Sequence, residues 1–329
     1  MVDPKKNSVG LPKPLSALDT NSFAYRTVKD RLPAILTKTI DATHRHRQAV
    51  MREFGTEGLE ELKVVIGRMS EMRYRLMTNK CLLPFPGESC DRNAAVNIYN
   101  QVLETEQTNH PDGNGVFWFS CPWFLAECYF YRAIVSAFRQ TRFLRNFDPF
   151  EEQKIQAFQD AEPAMQVLAD FVTELQLKNK NQLELPHTLE VMLQMSLWAN
   201  RCDLSISSGE GVVPPTERMN ELEQLQSNIL VNDLRQTVTY LLQTNSQQSI
   251  IIDIILDNAG LELFSDLCLA YVLLEANLAA TVRLHCKDMP WFVSDVTHAD
   301  FEFTLGMLTD SSHAEMAKLG NQNLGTAVL

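Results

Sequence analysis

Late in the chain, three residues carry side chains that could do chemistry together: Asp257, Asn258 and Asp295. Two carboxylates and one amide carbonyl are hard oxygen donors, which suit Mg²⁺ or Mn²⁺ better than a metal that seeks thiolates. Asp257 follows Ser249-Ile-Ile-Ile-Asp253-Ile-Ile-Leu256, a nearly continuous apolar run rich in β-branched residues that reads as a buried strand of a parallel sheet. Beyond Ala259 and Gly260 a helical pattern extends from Leu261 to Leu274. A second strand, Ala280-Thr-Val-Arg-Leu-His285, completes a β-helix-β unit, and Pro290-Trp-Phe-Val-Ser-Asp295 then brings the second carboxylate. Ligands of open α/β sheets sit beyond the carboxyl ends of the strands, where these three residues fall. The competing reading is a polar strand-to-helix turn with Asp257 or Asn258 as N-cap. Spacing alone does not choose between them.

The elements before this unit read as helices. From Ser22, the residues Val28, Leu32, Ile35, Leu36, Thr39 and Ile40 share one face, with a kink expected at Pro33. His44-Arg45-His46 has cationic neighbours and no third ligand, so it reads as a solvated face. Leu59–Met77 and Asn93–Glu106 continue the helical spacing, and Asn109–Gly115 is a loop by composition. Ser120 is the expected cap of an aromatic helix with Phe124, Leu125, Cys128, Tyr131, Ile134, Val135 and Phe138 on its buried stripe. Glu127 and Arg132 lie amid that stripe and need partners if buried: either they pair structurally or they face the site. Phe150–Leu177 reads as one or two helices and Pro186–Leu197 as another. Asn200, Arg201 and Asp203 close that last helix, as caps or as support for metal ligands. Ser205–Thr216 is the clearest linker, Ile229 begins another helical stretch, and no internal repeat is present.

Composition narrows the function classes. With 329 residues, 45% of them hydrophobic, the chain can bury a large core in two substructures. Its 29 Lys and Arg against 41 Asp and Glu give a net charge of −12, which argues against a general nucleic-acid binder. No signal-peptide pattern opens the chain, and no run reaches membrane-span length. Seven cysteines, an odd number without a C-x-x-C pair, point to buried free thiols in a reducing cytoplasm or nucleus.

Asp257-Asn258-Ala259-Gly260-Leu261-Glu262-Leu263, followed by Trp291-Phe-Val-Ser-Asp295-Val-Thr297, resembles the metal-site signature of the damage-control phosphatases, a family formerly called a domain of unknown function. The subfamily it resembles most is that of sugar-phosphate phosphatases, also named acidic-residue methyltransferases. Blocks at Ser22–Lys38, Pro122–Arg132 and Leu197–Ser205 resemble it as well, in order, from about Phe23 to about Phe303. The resemblance implies an α/β fold with a large helical N-terminal portion and a partial three-layer α-β-α, Rossmann-like domain. The expected division is a mobile arm at 1–21, helices at 22–245 with a linker at about 205–220, and the metal-binding domain at 246–329.

A divalent metal (Mn²⁺, Co²⁺, Ni²⁺ or Mg²⁺) and fructose-phosphate-like substrates are also implied. Asp257, Asn258 and Asp295 would be ligands and catalytic groups, with Asp257 and Asn258 touching substrate. Either carboxylate could instead be the base or the covalent nucleophile. Glu262 falls one turn into the helix, close enough to support the ligands. Amides at that helix start could receive a phosphate. The small phosphorylated metabolite is the expected partner, with neither nucleic acid nor membrane.

Two rivals stand beside this reading. An S-adenosylmethionine-dependent carboxyl methyltransferase, with Glu262 and Asp295 at the cofactor, would usually show a Gly-rich turn after the first strand and an acidic residue after the second. Here there is only Gly260, and Asp288 without a clear pattern. The other rival is a non-catalytic chain that binds metal weakly or acts through a protein partner. It arises because the family's later Gly-Asp-Leu-Asn-type strand end and Arg-Thr-x-Lys motif do not occur after Asp295. Arg26-Thr-Val-Lys29 matches the second motif by letter but lies at the wrong end. A chain shortened at its C-terminus relative to the family is therefore expected, with a thin sheet where about five or six strands are usual.

Overall fold

The structure is a computed structural model. It describes residues 12–87, 93–109, 115–178, 185–206, 225–243 and 250–309, with side chains except at 93–94, 109, 174–178, 200–206 and 309. Most of the expected linker and the first eleven residues of the expected arm lie outside this set. The chain divides into two compact units, Met1–Pro149 and Phe150–Leu329.

In the first unit, α1 (Phe23–Arg26) opens on Ser22, whose Oγ accepts the Tyr25 N–H at 3.1 Å. A π-helical turn (Thr27–Arg31) leads into α2 (Leu32–Arg45). Pro33, the second residue of α2, follows the π turn without a break in helical φ and ψ, and the departure from α-helical bonding falls in that turn. The long α3 (Arg47–Met77) bends at Gly55, whose φ of 67° no larger residue adopts readily. Then come α4 (Asn93–Asn109) and α5 (Trp123–Arg139). Ser120 does not cap α5; Pro122 does, and Phe124 is exposed rather than part of the buried stripe. Residues 12–21 are not wholly an arm, since Ser16 pairs with Pro122 and the Trp123 N–H donates to Leu15 O at 2.7 Å. Buried Glu127 pairs with Arg31, and the Arg132 guanidinium lies 5.5 Å from the Phe85 ring centre. These are structural roles within the first unit. His46 turns its Nδ1 to Ala42 O at 2.9 Å and its ring edge to Phe147.

The second unit contains α6 (Glu151–Lys178), α7 (Leu185–Ile206), α8 (Leu234–Gln243), β1 (Ile251–Ile255), α9 (Leu261–Glu275), β2 (Thr281–His285) and α10 (His298–Thr309). β1 and β2 pair in parallel, Ile251 opposite Thr281 through Ile255 opposite His285. The crossover helix α9 is buried from Leu261 to Leu273 with Glu262 alone half-exposed. Such a helix needs cover on every side. It packs on α6, α7 and β2, sharing one core with Phe158, Met165, Leu189 and Met192. Burial of each large side chain in that core contributes about 1.5–3 kcal/mol. This shared core places α6–α8 with the β-α-β unit, so the division falls at Pro149 and not near 245. β1 also departs from the fully buried strand expected: Ile251, Asp253 and Ile255 are exposed, and only the alternate residues are covered.

Candidate metal centre

Local chain geometry brings the ends of the two strands together. Beyond β1, the Val296 N–H donates to Asp257 O at 2.7 Å and the Ala259 N–H to Ser294 O at 2.8 Å, so Asn258 and Asp295 form an antiparallel bridge. The chain after β2 must therefore fold back within ten residues. It does so with positive φ at Phe292 (46°) and Val293 (73°), an unfavourable conformation for a β-branched residue. Strain of this kind persists only where surrounding contacts hold it, and it concentrates at functional sites. Gly260 makes the other turn, with φ 85°, and a Cβ there would lie 3.4 Å from Ala157 O. It is the N-cap of α9 and offers no side-chain bond, so neither Asp257 nor Asn258 caps the helix.

The Asn258 side chain is held from both sides. Its Oδ1 accepts from Ser294 Oγ at 2.5 Å, and its Nδ2 donates to Glu262 Oε2 at 2.8 Å and Asp257 Oδ2 at 3.2 Å. Lys287 stands across the two carboxylates. Its Nζ is 3.5 Å from Asp257 Oδ1 and 3.3 Å from Asp295 Oδ2, and it donates to Leu256 O at 2.9 Å. The chain after Asp295 is fixed by a buried pair, Lys154 on α6 with Asp300 on α10. Asp300 Oδ2 also accepts from the Thr297 N–H at 2.8 Å and from Thr297 Oγ1 at 2.5 Å, a capping arrangement for α10.

Acidic groups crowd this strand end. Burial pushes Asp295 up to about 6 and the Asp257 charge adds to that, while Lys287 and Lys154 pull the other way. Glu262 rises to about 7, through burial first and then the charges of Asp257 and Asp266, against the bond from Asn258. Asp266, inside α9, rises to about 6 by burial although Ser196 Oγ donates to it at 2.5 Å. Such a cluster favours an added positive charge. The donors at hand, carboxylate and amide oxygens, fit a hard divalent ion. Among the described residues no group of three or more His, Cys, Asp and Glu side chains converges on one point. The candidate set is two carboxylates plus an amide.

Asp257, Asn258, Glu262 and Asp295 are thus together. The backbones of Asn200 and Asp203 lie in the last turns of α7, and their side chains fall outside the described residues. Sequence reasoning missed Lys287, Lys154, Asp300 and Ser294. Lys287 is a lone cation in Cys286-Lys-Asp288, and nothing in the string marks it apart from a surface lysine. Cys81, Cys121, Cys128, Cys268 and Cys286 are in no disulfide, and burial raises Cys121 to about 12 and Cys128 to about 11.

A damage-control phosphatase ARMT1-like domain matches residues 27–328. Damage-control phosphatase ARMT1 of Danio rerio is 39% identical over 318 residues, covering 94% of this chain and 70% of its own length. The proteins of that name from Bos taurus and Homo sapiens are each 39% identical over 94% of this chain and 71% of their own. On both grounds the chain belongs to the ARMT1-like damage-control phosphatase family.

Proposed function

We propose that Asp257, Asn258 and Asp295 hold a divalent cation of the Mn²⁺, Co²⁺, Ni²⁺ or Mg²⁺ group. With it the protein hydrolyses phosphate monoesters of small sugars, of the fructose 1-phosphate or fructose 6-phosphate kind. The observation that carries this reading is the Asn258–Asp295 bridge, which sets both carboxylates and the amide at one strand end beside the start of α9. A bound cation would neutralise phosphoryl oxygens and lower the pKa of a water.

The chain's own residues do the rest. Glu262 and Ser294 fix which way the Asn258 amide points, so its oxygen side is set before any ligand arrives. Lys154 and Asp300 hold the return of the chain that carries Asp295. The positive end of the α9 dipole favours an anion at its start. The methyltransferase reading has less support, because the turn after β1 holds one glycine where a dinucleotide-type turn is Gly-rich.

The test is phosphate release from fructose 1-phosphate by the purified chain with Mn²⁺, alongside Asp257→Ala. Turnover by the wild type that disappears in the variant is expected. Equal turnover by the two would remove Asp257 from the site, and a folded wild type that binds Mn²⁺ without turnover would refute the substrate class.

A further inference from the structure

Lys287 occupies a position that neither the motif nor a surface role accounts for. Its Nζ lies within 3.5 Å of one oxygen from each carboxylate, and those are the groups assigned above to the metal. The ammonium is anchored by Leu256 O at 2.9 Å. The backbone beneath it is pinned as well: the Lys287 N–H donates to Val296 O at 2.8 Å, and Lys287 bridges to Thr297. Its side chain is only 26% exposed. A loosely held surface lysine would show none of these.

We propose that Lys287 is the resident cation of the site. It balances Asp257 and Asp295 before metal arrives, yields that place when a divalent ion binds, and then serves as the counter-charge of the phosphate. The inference rests on the metal-ligand reading above. An ammonium and a divalent cation sharing two carboxylates repel each other at a few ångströms, more strongly the less water lies between them. One of them must move. Lysine has a flexible four-carbon stem, so its charge can swing away while its backbone stays where Val296 and Thr297 hold it. Leu256 O keeps the swing short. The displaced ammonium therefore stays beside the end of β1, on the approach of an anion bound for the metal and the α9 amides. An ammonium is a point charge well suited to a phosphoryl oxygen.

Competition and cooperation predict opposite effects of one substitution. Calorimetry with Mn²⁺ alone compares wild type, Lys287→Met and Lys287→Gln, each checked by thermal unfolding. The Gln variant keeps a donor for Leu256 O and serves if the Met variant does not fold. Removing the charge should tighten Mn²⁺ binding roughly tenfold and weaken orthophosphate binding to the Mn²⁺-loaded protein roughly tenfold, the size of one charge-assisted hydrogen bond. A purely structural lysine would lower both. Unchanged or weaker Mn²⁺ binding, or unchanged orthophosphate binding, overturns the proposal. Asp257→Ala separates the two layers. If it abolishes Mn²⁺ binding while Lys287→Met and Lys287→Gln change nothing, the site stands and the lysine's role falls. If Asp257→Ala leaves Mn²⁺ binding intact, the ligand assignment itself has failed.

Discussion

Two groups of charges sit on the same pair of strands and behave oppositely. On the exposed face, Asp253 accepts from Arg283 Nε and Nη2, both at 2.6 Å, and lies 2.6 Å from His285 Nε2. Those partners hold its carboxyl down at about 2. Asp257 follows four residues later, at the end of the strand, and the Asp295 carboxyl near it is pushed up to about 6. Lys287 lies 3.3 Å from its Oδ2 and the Lys154 charge acts on it too, yet burial and a second carboxylate outweigh them. Opposite charge is present in both places, so it does not make the difference. Water does: a solvated ion pair relaxes the carboxylate, while a buried, crowded one remains short of positive charge and open to a stronger cation.

The sharpest way to break this contrast is to remove the buried support. Lys154→Met leaves Asp300 without its ion, and breaking a buried pair from one side costs about 3–5 kcal/mol. Urea unfolding should show a loss of that order; an unchanged midpoint would mean Asp300 does not depend on Lys154. A middle-sized effect is expected at Asp266. Its folded value of about 6 exceeds the ordinary 3.8, so the folded chain binds more protons than the unfolded one between roughly pH 4 and 6. Stability from this group therefore falls as pH rises through that window. Asp266→Asn keeps the acceptor for Ser196 and loses the charge. At pH 8 it should be more stable than wild type by about 1–2 kcal/mol, and at pH 4 indistinguishable from it. A constant difference at both pH values would remove the charge as the cause. The smallest effect belongs to Asp253→Asn on the solvated face. Its contribution is present above the ordinary carboxylate range and disappears as pH falls toward 2, and salt screens it. A melting temperature that does not move at physiological salt is expected, and a clear drop would make the two regions alike.

What the string of residues reveals follows from how local each signal is. β1, α9 and β2 are legible because β-branched runs and a following helical period are written within a few residues of each other, and Gly260 marks the turn between them. Asp257, Asn258 and Asp295 are legible through their resemblance to a family and their place after strands. Lys287 is not, because its meeting with two carboxylates depends on the fold-back that seats Thr297 beside it. Lys154 is still less visible. In Glu151-Glu-Gln-Lys154 it reads as a wet helix start, and its partner lies 146 residues downstream. β1 is less buried than its composition predicts for a related reason: a run of isoleucines tells that a strand forms, and not how many of its faces find cover.

The almost complete burial of α9 has a consequence for how the chain comes into being. Translation delivers α6 and α7 before it, so the two helices that enclose α9 are already outside the ribosome when it emerges, and β2 follows almost at once. A helix of this kind released without them would present sticky surface in every direction. The segment beginning near 246 therefore carries the candidate metal ligands yet is no module by itself, and the compact unit that contains it begins at Phe150.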